Sequence, residues 1–184
     1  LADSQYPSRL KTIADPPPVL WCTGQLQDED HHALAVVGSR KGSHIGRAFT
    51  RQLSGDLAAL GFTIVSGLAR GIDAAAHEGA LASSGRTLAV LGCGIDRLYP
   101  PEHGPLRQRI EQHGAVLSEF PMGTPPHSYH FPQRNRVISG LSLGVIVTEA
   151  TSRSGSLITA RMALEQNREI VAVPGNGTNT VFRG

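Results

Sequence analysis

The stretch Leu34–Phe49, LAVVGSRKGSHIGRAF, decides the fold. Its first four residues are a short, continuous apolar run ending at Gly38, the pattern of a strand buried on both faces. A polar, glycine-containing loop follows from Ser39 to Ser43. Beyond it Ile45, Phe49, Leu53 and Leu57 recur at intervals of four, which predicts an amphipathic helix over residues 44–60 with that stripe turned inward. Gly61 stops it, as a glycine after a helix should.

The same alternation runs on through the chain. FTIV (62–65), TLAVL (87–91), Ala115–Ser118, LGVIVT (143–148) and Glu169–Val173 read as strands. Helices are expected over Gly71–Ser84, Leu106–His113, Gln133–Leu141 after Pro132, and Ser156–Gln166. Upstream, Pro16–Pro18 bar a helix, Val19–Cys22 fit a short edge strand, and Gln25–His32 reads as a loop with His31-His32 at its tip. Strands that are continuous apolar runs, alternating with helices, imply a mainly parallel sheet covered on both faces. The expected fold class is therefore α/β: a Rossmann-like (extended) three-layer sandwich. Residues 1–32 are expected to form an N-terminal extension packing on a core at residues 33–184, a single domain overall. Ligands of such sheets bind outside the carboxyl ends of the strands, where most of the loops of interest fall.

The chain has 184 residues and 40% hydrophobic composition, yet no apolar run approaches the roughly 20 residues of a membrane span. The opening LADSQYPSRL has neither a basic start nor an apolar stretch, so no signal peptide is expected. Cys22 and Cys93 lie far apart and form no CxxC pair, which argues against a zinc knuckle and fits a reduced, cytoplasmic protein. The net charge of +2 does not announce a nucleic-acid binder. The kind of cation says more: of the 17 basic residues only Lys11 and Lys41 are lysines. Arginine's planar fork grips phosphate bidentately, although GC-rich coding equally explains arginine excess. Few aromatics, 5%, leave room only for a small base-stacking surface.

Four loops carry candidate chemistry. The first, Gly38-Ser39-Arg40-Lys41-Gly42, joins strand to helix and has the small residues and helix N-terminus of an anion cradle, with Arg40 as a fixed charge. It is neither a Walker A loop nor a GxGxxG fingerprint. The second, Ser66-Gly67-Leu68-Ala69-Arg70-Gly71-Ile72-Asp73, is again strand to helix; Asp73 suits the helix start, and a plain structural turn fits as well. The third, Phe131-Pro132-Gln133-Arg134-Asn135-Arg136, places two arginines two apart on a helix, where they do not share a face. That leaves one to meet phosphate and the other to pair with an acid such as Glu149, and a merely solvated face fits as well. The fourth, Ser154-Gly155-Ser156, precedes a helix and reads either as an anion cradle or as an ordinary N-cap. His127 and His130, three apart in a Pro-rich stretch, do not suggest a shared metal, and no catalytic Ser-His-Asp or paired-carboxylate arrangement stands out.

Together YPSRL with DPPPVLW, AVVGSR, SGLARGID, LAVLGCGIDRLYP, SEFPMGTPP, FPQRNRVISGLS and EATSRSGSLITARMALEQNREIVAVPG cover nearly the whole chain. In this order they closely resemble the DprA/Smf family of DNA-processing proteins. The resemblance implies non-catalytic, sequence-independent binding of single-stranded DNA, which protects incoming strands in natural transformation and helps load RecA recombinase. It also implies a homodimer, with no cofactor and no metal. The family's basic pocket maps onto Gly38, Ser39 and Arg40, onto Ser66 and Gly67, onto Arg134, Asn135 and Arg136, and less closely onto Ser154, Gly155 and Ser156. Charge and position add Lys41, Arg70 and Arg153. An extruded base is expected against the glycine loops or an aromatic such as Phe131 or Tyr129. Leu141, Leu143 and Val181-Phe182 are candidates for a dimer surface. Family members carry a longer polar loop where Pro174-Gly175-Asn176 here abuts Gly177-Thr178-Asn179, so residues are expected to be missing between Asn176 and Gly177. The alternative reading is a nucleotide-processing enzyme, or a small-nucleotide sensor, of a related Rossmann group, with Glu149 as its acidic residue.

Overall fold

The computed structural model describes Asp3, residues 5–150 and residues 154–173. In chain order the elements are α1 (Ser8–Lys11), β1 (Trp21–Gly24), β2 (Ala33–Gly38), α2 (His44–Ala59), β3 (Thr63–Ser66), α3 (Ile72–Ala82), β4 (Thr87–Val90), α4 (Gly104–His113), β5 (Gly114–Ser118), α5 (His130–Leu141), β6 (Gly144–Glu149), α6 (Gly155–Glu165) and β7 (Glu169–Ala172). The strands form one sheet in the order β1-β5-β4-β3-β2-β6-β7. All neighbours are parallel except β1, which pairs antiparallel with β5 at one edge. The α/β three-layer architecture expected from the alternation is the one observed.

The layers follow from the pleat. Successive side chains on a strand point to opposite faces. Ala35 and Val37 of β2, Leu88 and Val90 of β4, Ala115 and Leu117 of β5, and Val145 and Val147 of β6 join one core with residues of α1, α5 and α6. The residues between them, Val36, Ala89, Val116 and Ile146, face the opposite layer of α2, α3 and α4. Both faces are thus apolar, which is why the strands read as unbroken hydrophobic runs. The N-terminal segment packs against the layer of α5 and α6. Leu10 and Ile13 pack into the first core, and the buried Tyr6 hydroxyl donates to the Pro17 carbonyl at 2.7 Å. Burial pushes the Tyr6 phenol up to about 12.

Several elements differ from the sequence expectation. In α2 the inward face is Gly46, Thr50, Ser54 and Ala58, not the aliphatic stripe. Leu53 and Leu57 are only half-buried at the flank, while Ile45 and Phe49 are 73% and 45% exposed. Part of that face meets β6, where Thr50 hydrogen-bonds the Thr148 hydroxyl at 2.9 Å and a Cβ on Gly46 would strike the Glu149 carboxylate, and a neighbouring face crosses α3 closely. A Cβ on Gly55 would lie 3.3 Å from the Gly79 carbonyl, and one on Gly79 would collide with the Arg51 backbone. Only small residues fit between helices at that separation, so the larger ones turn away. Helix α5 begins at His130, ahead of the expected Gln133, with Pro132 inside its first turn. Proline is tolerated there because the first N–H groups of a helix have no intrahelical acceptor. The edge strand lies at Trp21–Gly24 instead of Val19–Cys22, and His31-His32 close a 3-10 turn, Asp28–His32.

One fully buried histidine, His77 of α3, gives the fold a pH dependence. The Thr87 hydroxyl donates to the Ile64 carbonyl at 2.7 Å, so at 2.7 Å it accepts from His77 Nδ1. Nε2 is then left to accept the Leu68 N–H at 3.3 Å. Burial, with the nearby His103 and Arg134 charges, lowers the His77 pKa to about 3. A histidine depressed in the folded state contributes stability above its unfolded pKa of roughly 6.5, and loses it as pH falls. Urea titrations across pH should therefore show stability dropping between about pH 6.5 and 3, by up to ~1.4 kcal/mol per pH unit from this one group. A His77→Gln variant should show a shallower slope over that window.

Candidate nucleic-acid interface

The sheet order creates a single parting of the chain. After β2 the chain crosses to α2 on one face, and after β6 it crosses to α6 on the other. The carboxyl ends of these neighbouring strands are a topological switch point, where open α/β sheets bind ligands. A cleft of about 570 Å³ opens there. Its walls are Val37 to Lys41 after β2, Ala69 and Asp73 around the start of α3, Ser128, Phe131, Arg134 and Asn135 of α5 and the turn before it, and Ser154 to Ser156 with Thr159 of α6.

Behind the cleft lies Glu149, the last residue of β6, which is 1% exposed. Its carboxylate accepts the Ser43 N–H at 3.0 Å and the Ser43 hydroxyl at 2.8 Å. Ser43 Oγ accepts in turn from the Gly46 N–H at 2.9 Å, capping α2. The Glu149 carbonyl accepts from Ser39 N–H at 2.7 Å. The positive end of α2 is therefore already occupied by a carboxylate of the same chain, which corrects the expectation of an anion cradle at that helix end. Gly38 is required by the same closeness. A Cβ there would sit 2.7 Å from Ile72 and 2.8 Å from the Glu149 carbonyl.

What this anchoring leaves free are the cations of the loop. Arg40 and Lys41 are exposed, and among the described residues neither takes part in an ion pair. The Arg40 guanidinium lies 4.8 Å from the centroid of the Phe131 ring, a cation–π contact that holds it over the cleft. Arg134 is a different kind of charge. It is 3% exposed, and its Nη1 donates to the carbonyls of Gly67, at 2.9 Å, and Val90. Burial lowers its pKa to about 10, and Asp73 pulls the other way. Asp73 itself is raised by burial, with Arg134 and the N–H groups of Ala69 and Gly67 holding it down. Those N–H groups donate to it at 3.4 and 3.1 Å. On the far wall Ser154 caps α6 through the Ser156 N–H at 3.4 Å, and Asn135 Nδ2 donates to the Gly155 carbonyl at 3.3 Å, fastening α5 to α6.

The cleft thus gathers Gly38, Ser39, Arg40, Lys41, Arg134, Asn135, Ser154, Gly155 and Ser156. Gly67 and Arg70 line a small adjoining crevice with Arg40 and Phe131, and Arg70 is held in an ion pair with Glu102. Ser66 is fully buried, its hydroxyl donating to the Val36 carbonyl at 2.7 Å. Arg136 is not brought to the cleft. It forms a two-pronged pair with Glu119 at 2.7 and 2.8 Å and a second contact with Asp15 at 3.2 Å. Neither arginine meets Glu149, contrary to the pairing considered from the sequence, because Ser43 already holds that carboxylate. Sequence reasoning overlooked Asp73 as the counter-charge of Arg134; its only local signal was that of a helix start. Thr159 was overlooked as well, although it lies one turn after Ser156. Arg153, the Asn176-Gly177 junction and Val181-Phe182 lie outside the described residues. His127 and His130 belong to an aromatic cluster, and among the described residues no group of three or more His, Cys, Asp or Glu is placed to hold a metal.

Residues 1–184 match the family described as DNA recombination-mediator protein A. The chain belongs to that family. It is 51% identical over 176 residues to protein Smf of Escherichia coli, covering 95% of this chain and 47% of that protein. It is 43% identical to the DNA processing protein DprA of Bacillus subtilis, covering 96% of this chain and 60% of the relative. The chain therefore spans about half the length of such relatives. The crystal structure of DprA from Streptococcus pneumoniae superposes with a TM-score of 0.92 at 44% identity, over 97% of this chain and 63% of that one. A Helicobacter pylori DNA processing protein A, whose structure is described for its single-stranded DNA binding mode, superposes at 0.87 with 32% identity, over 95% and 80%. The molybdenum cofactor carrier protein of Chlamydomonas reinhardtii shares the fold alone, at 0.57 and 15% identity, over 79% and 78%.

The Glu149 anchor makes a direct prediction. Glu149→Ala leaves the Ser43 N–H without its buried acceptor, which should cost about 1–3 kcal/mol. A urea titration should show that loss as a lower midpoint.

Proposed function

We infer that the switch-point cleft binds the sugar-phosphate backbone of single-stranded DNA, independently of base sequence and without catalysis. The observation that carries this reading is the two exposed cations Arg40 and Lys41, which form no ion pair among the described residues and stand at the mouth of the cleft. Cations placed this way displace counterions from phosphate and carry no sequence information. The single-strand binding named for the Helicobacter pylori relative supports the reading. In the fuller role the chain acts in the cytoplasm, as part of a homodimer. It protects incoming strands and hands them to RecA recombinase during natural transformation. The enzyme reading needs an accessible acid. Glu149 does not line the cleft, and its carboxylate is taken up by Ser43, which weighs against it.

The test is fluorescence anisotropy with labelled oligo-dT at several salt concentrations, with duplex DNA and AMP as competitors. Tight, salt-sensitive binding that neither competitor displaces is expected. No binding to oligo-dT together with saturable AMP binding or turnover would overturn the reading. Arg40→Ala should weaken binding for all sequences alike and flatten the slope of log K against log salt by about 0.7, one phosphate contact on a single strand. Arg136→Ala should leave that slope unchanged and lower the melting temperature, because its partners are Glu119 and Asp15.

A further inference from the structure

Two aromatic rings flank the start of α5, and they differ in what they offer to a ligand. Phe131 is half-buried, with Arg40 over its ring and Tyr99 at 5.4 Å between centroids. The Gly92 backbone presses so near that a Cβ there would lie 2.7 Å from the ring. Its surface is used within the protein. Tyr129 is 64% exposed.

Tyr129 is nonetheless held in place. His127 lies parallel to it, at 5.4 Å and 8°. His130 meets it edge-on at 4.5 Å and is itself buried against Phe120, at 4.3 Å. The turn beneath is closed by the His127 N–H on the Pro125 carbonyl and the His130 N–H on the His127 carbonyl, both at 3.0 Å. The residue between, Ser128, lines the cleft. An ordered ring open to water at the rim of a cationic cleft has the form of a stacking surface, since every base has a π-face.

We propose that Tyr129, backed by His127, is a stacking platform for a nucleobase of the strand whose phosphates engage Arg40 and Lys41, one position outside the cleft. This rests on the single-strand reading of the cleft. The platform accepts any base, so it adds affinity without sequence preference. It also favours single strands over duplex, whose bases are already stacked on one another.

Three chains are titrated with oligo-dT of uniform length: unaltered, Tyr129→Ala and Tyr129→Trp. An oligomer of abasic sugar-phosphate is titrated in parallel. Stacking on one base predicts that Tyr129→Ala weakens oligo-dT binding roughly 5- to 150-fold with the salt slope unchanged. Tyr129→Trp should restore it, and the abasic oligomer should bind the Ala variant and the unaltered chain alike. Unchanged oligo-dT binding by Tyr129→Ala overturns the proposal. So does an equal loss on the abasic oligomer, or failure of Tyr129→Trp to restore binding. If Arg40→Ala weakens binding while Tyr129→Ala does not, the stacking platform alone falls. If the unaltered chain does not bind oligo-dT, the reading of the cleft falls and the platform with it.

Discussion

A buried carboxylate anchors the point where this sheet divides. Glu149 ends β6 beneath the first turn of α2, and its acceptors are consumed by the backbone N–H and hydroxyl of Ser43. Such a group is tolerated only because it is hydrogen-bonded, and a buried charge left unpaired would be costly. Three consequences follow from that contact. Position 46 has to be glycine, since a Cβ there would run into the carboxylate. The Ser39–Gly42 loop is stretched over the junction, with Ser39 N–H on the Glu149 carbonyl and Ile72 N–H on the Ser39 carbonyl. Arg40 and Lys41, carried on that loop, are exposed and line the cleft.

The arginines divide by the same logic of partners. Arg86 closes on Asp30 and Arg136 on Glu119 and Asp15, fastening loops to the body of the domain, while Arg107 pairs with Glu111 one turn on within α4. Arg134 is a buried strut whose guanidinium holds the carbonyls that end two neighbouring strands. Burial opposes the charge on Arg136 as well, but its acidic partners outweigh that and hold its pKa above the ordinary arginine value. Arg40 forms no ion pair among the described residues, and its guanidinium lies over the face of Phe131. A charge that lacks an internal partner yet is held in position is available to a ligand, and the count of arginines alone does not identify it.

The same fold in a cofactor carrier of low identity shows how little the scaffold dictates. A switch-point cleft is a place to bind, and what it binds depends on the side chains around it. Here the helix end that would ordinarily offer itself to an anion is capped by Ser43, which Glu149 holds. The cleft offers side-chain cations and the start of α6 instead, while the aromatic rim lies beside α5.

Much of this was legible in the order of residues. Continuous apolar runs such as LAVV and LGVIVT can only be strands buried on both faces, and their alternation with helices leaves little choice but a parallel sheet with two helical layers. The loops at the carboxyl ends, and most of the residues that line the cleft, could be named because strand-to-helix glycine turns are local patterns. Three things were not local. The inward face of α2 was misjudged because its buried residues answer to what they meet, Gly46 to the Glu149 carboxylate and Thr50 to the Thr148 hydroxyl, and not to hydrophobicity alone. Arg134 and Arg136 look alike in sequence, and only the positions of Asp73 and Glu119 separate the strut in the cleft wall from the ion pair outside it. Glu149 reads as a functional acid at a strand end until α2 is seen to rest on it. Local pattern specifies elements and loops, whereas the role of a charge depends on which groups from distant parts of the chain surround it, and that is decided only when the layers pack.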